Sequence, residues 1–388
     1  MEANKLRSPA DRWAWVEVDL QALRRNVGAF RRAMGREPQL MCVVKADAYG
    51  HGADACTKVM RSAGASQFAV ATVAEGVALR EGGVTEPILV LSEPPADCVD
   101  TIVAFDLMPA VQSAEFALAL GEAAAAAGVV ARYHLAVDTG MTRFGVSRED
   151  AVELRRTIDF HRGLECAGTF THFATADVPE DWDFALALNR FRETVAALRG
   201  AGLETGLVHC DNTPGTVLHP ECRFDMCRVG VGLYGLHPAP TTVGRIELDP
   251  VMSVRGRVTR AVYPAVGAGV SYGLTYRVPK RNVQIATVPI GYADGLSRTL
   301  SDQMDVLVGG MRCRQVGRIC MDQFMFAVDV NAARSYRPTR PVEVGDVVTL
   351  VGSDGAERIS ADDMAELRGT INYEVVCDFG MRLEKVYV

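Results

Sequence analysis

Eight short apolar runs alternate with stretches of helical character along the first two thirds of the chain, beginning near Leu40, Phe68, Ile88, Leu107, Tyr133, Cys166, Leu207 and Asp225. A strand that reads as an unbroken apolar run is buried on both faces, and parallel strands joined by helices supply that burial. The intervening patterns are helical. Leu23, Val27, Phe30 and Met34 line one face after a capping Asp19, and Phe184, Leu188, Phe191, Val195 and Leu198 draw a second stripe. Ser113 to Ala127 is alanine-rich, and Thr72 with Glu75 has the spacing of a capping box. Eight such units predict an α/β fold, a (β/α)8 TIM-type barrel. A doubly wound open sheet satisfies the same count, because counting strands does not show closure.

The character changes near residue 250. The runs SVRGRVTRAVYP, NVQIATVPIGY, MDVLVGG, CRQVGRICMDQFMFAVDV and DVVTLVG are strand-like and separated by Gly and Pro, with one short helix at Ala361 to Arg368 and a last strand at KVYV. The chain therefore reads as a barrel domain over 1–245 and a mostly β C-terminal domain over 246–388. The first strand could join the β domain.

Composition removes several functions. A net charge of −7 with both signs mixed gives no reason to expect nucleic acid or an anionic membrane as a partner. The 10 cysteines form no CxxC pair and several sit in apolar runs, as thiols do in a reducing cytoplasm. The stretch MEANKLRSPADRW lacks the apolar core of a signal peptide, and no window approaches the ~18 apolar residues of a membrane span. No His, Asp and Glu cluster has metal-ligand spacing, so no metal is expected. A cytoplasmic location is.

In such barrels the chemistry gathers at the C-terminal ends of the strands. Reading those positions gives Lys45 after the first strand, Asp138 and Arg143 after the fifth, and His172 after the sixth. His209, Asn212 and Thr213 follow the seventh, and Arg228 and Gly230 the eighth. Lys45 directly follows five apolar residues. An amine in a desolvated pocket is held neutral and can form a Schiff base, although a lysine ending a strand ordinarily snorkels to water.

The motif around Lys45 adds to this. VVKADAYGHG at 43–52 resembles the cofactor signature of alanine racemases. Further blocks similar to that family follow in family order: LAVDTGMTRFG at 135–145, THFATAD at 171–177, HCDN at 209–212 and RVGVGLYGL at 228–236. SYGLTY at 271–276, VPIGYADG at 288–295, GRICMDQ at 317–323 and GTINYEVVC at 369–377 complete the set. The resemblance covers nearly the whole chain. It implies a barrel followed by a β domain, a homodimer with shared active sites, and an isomerase interconverting L- and D-alanine, the family's route to D-alanine for the bacterial cell wall.

Site roles follow from the same resemblance. Lys45 would carry pyridoxal 5′-phosphate as an imine and serve as one catalytic base. Tyr272 would be the second base, on the opposite face and from the partner subunit. Tyr49, Asn212, Thr213, Gly230 and Val231 would bind the cofactor at or near its phosphate. His172 would pack on the pyridine ring and Arg228 would face its nitrogen. Arg143 and the Met321 backbone amide would meet the substrate carboxylate, and Tyr292 would shape the entrance.

Two positions depart from the family. Ala136 stands where many members have a carbamylated lysine that orients the arginine matching Arg143. A bound anion, a water or a different side chain is then left to orient it. Met381 replaces a tyrosine usual beside the arginine matching Arg382, which leaves serine or a larger amino acid as an alternative substrate. A same-fold pyridoxal phosphate decarboxylase and a non-catalytic pyridoxal phosphate-binding protein are the other readings. GRICMDQ and SYGLTY fit racemases better than decarboxylases, and the long β domain is absent from the single-barrel binding proteins.

Overall fold

All eight apolar runs form strands, and the eight lie parallel in one sheet. They are β1 (Gln39–Val43), β2 (Gln67–Val70), β3 (Ile88–Val90), β4 (Met108–Val111), β5 (Ala131–Asp138), β6 (Leu164–Phe170), β7 (Leu207–His209) and β8 (Met226–Val229). The structure is a computed structural model and describes residues 12–178, 180–329, 340–380 and 382–388. The chain divides into two units, Ala22–Asp249 and the residues up to Gln21 together with Pro250–Val388.

In the first unit each strand pairs with the next, and β8 returns to β1 with Met226 opposite Gln39 and Val229 opposite Cys42. This settles the choice between an open sheet and a barrel. The last joint is made differently, because β7 has only three residues. Asp225 closes it. Its N–H donates to the Val208 carbonyl at 3.0 Å and its carboxylate accepts the Val208 N–H at 2.7 Å. The helices lie where their stripes place them. Leu20–Met34 buries Leu23, Val27, Phe30 and Met34, with Asp19 accepting the Gln21 N–H. Ser113 caps Ala114–Ala126, and Trp182–Gly200 buries Phe184, Leu188, Phe191, Val195 and Leu198.

The second unit is mostly β. Its main sheet runs Met311–Arg314, Asp305–Val308, Val347–Asp354, Met252–Arg257, Ala14–Val18 and Glu384–Tyr387. Ala14–Val18 pairs antiparallel with Met252–Arg257 and parallel with Glu384–Tyr387, so the first and last strands of the chain are neighbours. A three-stranded sheet holds Arg260–Val262, Val283–Val288 and Phe324–Asp329. Ala361–Arg368 is helical, capped by Ser360, and a second helix, Asn372–Asp378, follows it.

Candidate active site

Lys45 stands two residues past the end of β1, half-buried, at the start of an unusual turn. Ala46, Asp47, Ala48 and Tyr49 all have positive φ, at 51, 52, 56 and 53°. Left-handed backbone costs an L-residue about 1–2 kcal/mol, so four in succession need support from their surroundings. Glu75 gives part of it. One of its carboxylate oxygens accepts the Ala46 N–H at 2.6 Å and the other accepts the N–H groups of Ala71 and Thr72. Thr72 and Glu75 do form the capping box that their spacing predicts, and the same carboxylate ties the helix to the Lys45 turn. Asp47 accepts the Ala53 N–H at 2.7 Å on the other side.

The turn delivers Tyr49 to the end of β8. A Cβ on Gly230 would lie 2.6 Å from the Tyr49 hydroxyl, so only glycine leaves that space open. Thr213 Oγ1 accepts the Gly230 N–H at 3.1 Å, and Asn212 caps the helix that Thr213 begins by accepting the Gly215 N–H. Val231 is buried and opens the short 3-10 turn that follows Gly230. Two hydroxyls beside glycine backbone that carries no side chain make a cradle suited to a phosphate.

Arg228 is buried at the centre of a polar network drawn from four strands, β5 to β8, and their ends. It donates to the carbonyls of Thr171 at 2.8 Å and Cys210 at 3.1 Å, to His172 Nδ1 at 3.1 Å and to His209 Nδ1 at 2.9 Å. An arginine can only donate, so both imidazole nitrogens accept. His209 Nε2 then carries the hydrogen and donates to His134 Nδ1 at 2.8 Å. Burial, then Arg228, pushes His134 down to about 3, and the same causes hold His172 and His209 well below the usual histidine range. Arg143 and Lys45 add smaller contributions to the effect on His172. Burial lowers the pKa of Arg228 itself and raises that of the nearby Asp211 to about 6.

Arg143 lies in the loop after β5. Asp138 shapes that loop by accepting the N–H groups of Gly140 and Thr142. The remaining residues belong to the second unit. Tyr272 is 72% exposed, between Ser271 and Gly273, both at positive φ. Ser271 Oγ donates to the Arg318 carbonyl, which ties this turn to the segment bearing Met321. The N–H groups of Tyr292 and Ala293 donate to the carbonyls of Cys320 and Met321 at 3.0 Å each. Tyr272, Tyr292 and Met321 are thus all exposed on neighbouring loops. Met381 lies outside the described residues; Arg382 donates to Asp322 at 2.7 Å.

Three contributors escaped the sequence reading: Glu75 beneath the Lys45 turn, His134 at the end of the Arg228 network, and Phe170, whose ring lies under Arg228 at 5.3 Å. His134 offered a signal, as a histidine inside a largely buried strand, and Glu75 a partial one through its capping-box spacing with Thr72.

Comparison with known proteins agrees with this geometry. Residues 18–238 match the family described as alanine racemase, N-terminal domain, and residues 251–387 match the alanine racemase C-terminal domain. The chain is 40% identical to an alanine racemase of Symbiobacterium thermophilum, over 96% of both chains. It is 39% identical to an alanine racemase of Nostoc, covering 97% of this chain and 96% of that one. Among solved structures it resembles the alanine racemase of Bacillus anthracis with bound L-Ala-P, at TM-score 0.91 and 34% identity, covering 98% of this chain and 96% of that one. A histidine racemase from Leuconostoc mesenteroides is also similar, at TM-score 0.89 and 29% identity, covering 98% and 99%.

Proposed function

The chain belongs to the alanine racemase family, and we propose that it interconverts L- and D-alanine with pyridoxal phosphate as cofactor, as a homodimer whose sites draw on both copies. The reading rests above all on Lys45, two residues past the end of a barrel strand, in the same barrel unit as the Arg228 network with His172 and His209. A cytoplasmic location fits this activity. Among the described residues no helix is long and apolar enough to cross a membrane.

The residues present suit that cofactor. Tyr49 and Thr213 bring two hydroxyls to the backbone of Gly230 and Val231, with Asn212 capping the helix behind, and these groups would hold a phosphate. His172 is held neutral by burial and by Arg228, and offers a flat ring to pack on the pyridine. When bound, pyridoxal phosphate delocalises the electron pair left as the α-proton departs.

The protein's part is to hold, orient and move protons. Lys45 Nζ holds the cofactor and exchanges a proton on one face of the substrate, and Tyr272 Oη exchanges one on the other. Two bases on opposite faces invert the centre without turning the substrate over. Arg143 and the Met321 backbone amide take the carboxylate, and Tyr292 narrows the entrance. Arg228 has only hydrogens to offer, so a ring nitrogen facing it stays unprotonated. That weakens the electron sink and disfavours transamination. The working division is a cofactor-binding unit, Ala22–Asp249, and a second unit, the residues up to Gln21 with Pro250–Val388, that supplies Tyr272, Tyr292 and Met321.

A chiral product assay tests this. The holo-protein is incubated with single L-amino acids, including alanine, serine and histidine, alongside Lys45→Ala and Tyr272→Phe. D-alanine is expected to form fastest, with each variant slowed by about 100- to 10,000-fold. A different dominant D-amino acid overturns the substrate assignment, and absence of any enantiomer overturns the racemase.

A further inference from the structure

Arg143 stands apart from the arginines around it. Among the described residues no carboxylate pairs with it; its guanidinium carbon lies instead 5.0 Å over the ring of Phe144. Burial lowers its pKa, and no neighbouring anion raises it back. Arg143 is exposed and only partly desolvated, and its guanidinium rests on an aromatic face as a cation–π pair.

Phe144 is itself braced. It packs with Phe170 in an apolar cluster completed by Ala110 and Ala136, the two rings 5.9 Å apart and tilted by 45°. Phe170 in turn stacks flat on His209, at 5.1 Å and 4°, and lies under the Arg228 guanidinium at 5.3 Å. The aromatic pair therefore seats two guanidiniums, Arg143 on one ring and Arg228 on the other. The Arg143 charge disfavours that of Arg228, and each guanidinium rests on its own ring. Small side chains at 110 and 136 leave the room that the two rings occupy. Ala136 has no amine and can carry no carbamate.

The geometry points to Phe144, braced by Phe170, as the positioning residue that aims Arg143 at the substrate carboxylate, in place of a bound anion or a modified lysine. The inference rests on the proposed role of Arg143 in carboxylate binding.

The test uses the holo-protein with Phe144→Leu, Phe144→Tyr, Arg143→Ala and the Arg143→Ala/Phe144→Leu double variant. Two quantities are measured: KM and kcat for L-alanine, and the dissociation constant of propionate by calorimetry, in chloride and in gluconate salts. Phe144→Leu is expected to raise both KM and the propionate constant by about 3- to 30-fold, with kcat less affected. Phe144→Tyr keeps the aromatic face and is expected to stay near the parent. In the Arg143→Ala background, Phe144→Leu is expected to change propionate binding no further. Unchanged propionate binding in Phe144→Leu overturns the proposal, as does an equal loss with Arg143 already removed. Chloride that tightens propionate binding in the parent overturns it in favour of an anion. Should Phe144→Leu not fold, Phe144→Met carries the same comparison. If the protein racemises nothing, the proposed activity fails, and the propionate titration still decides the role of the ring.

Discussion

At the scale of single residues, the site combines missing atoms with fixed protons. Gly230 is defined by what it lacks. A methyl group there meets the Tyr49 hydroxyl at 2.6 Å and the ring carbon behind it at 3.3 Å. Gly230→Ala must move Tyr49 out of the cradle, so we expect a folded protein that binds pyridoxal phosphate about 5- to 150-fold more weakly, from about 1–3 kcal/mol of overpacking. A cofactor titration followed by absorbance measures this, and unchanged affinity would remove Gly230 from the cradle. His134 illustrates the fixed proton. Its folded pKa, about 3, lies below the ordinary 6.5, so in the window between them the unfolded chain binds the proton and the native one does not. Its contribution is therefore intact above about pH 6.5 and lost as pH falls towards 3. Between pH 8 and pH 5 this costs about 2 kcal/mol. Asp211 acts in the opposite direction, since its folded pKa of about 6 lies above its ordinary value. The difference between parent and His134→Gln isolates the histidine. The drop in urea midpoint between the two pH values should be smaller in the variant, where His172 and His209 still contribute, and an equal drop in both proteins would refute the assignment.

Among the elements, the Lys45 turn is the strained one, and its anchor lies on another helix. Glu75 accepts three backbone N–H groups, from Ala46, Ala71 and Thr72. Glu75→Ala removes all three and frees the turn to relax from its left-handed path. We expect a loss of about 1–3 kcal/mol in urea unfolding and a larger share of protein purified without cofactor. An unaltered midpoint with full cofactor retention would show that the turn holds itself. This anchor was half legible in the sequence. The spacing of Thr72 and Glu75 announces a capping box, but nothing local tells that the same carboxylate reaches Ala46, twenty-nine positions earlier. The strands were legible because burial on both faces writes an apolar run into each. Closure was not, since it depends on Asp225 bridging to Val208 across the sheet. The helix at Asn372–Asp378 was also missed as an element. Val375 and Val376 favour strand locally, and their burial in the folded unit decides otherwise. The same distinction runs through the site: residues with a motif around them were found, and Phe170, a plain apolar residue at the end of a strand, was not.

For the molecule as a whole, the distribution of the proposed bases has a testable consequence. Lys45 belongs to the barrel unit, and Tyr272 to the other, where it stands 72% exposed beside exposed Leu274, Tyr292 and Met321. Large apolar and aromatic side chains grouped on neighbouring loops are ordinarily covered by a partner. If a second copy covers them, Tyr272 serves the Lys45 of the other chain. Hybrid dimers then separate shared from private sites. In a dimer of one Lys45→Ala chain and one Tyr272→Phe chain, shared geometry places both substitutions in one site and leaves the other with an intact lysine and tyrosine. Random mixing makes about half the dimers hybrid, so the mixture should recover about a quarter of parental activity although each variant alone is nearly inactive. Private sites give no recovery at any mixing ratio, because each site then carries one lesion. Recovery should also need subunit exchange: mixing under native conditions lags, whereas refolding the two together reaches the plateau at once. A mixture that stays inactive after co-refolding, with dimers present by sedimentation, would place both bases within one chain and overturn the shared-site dimer.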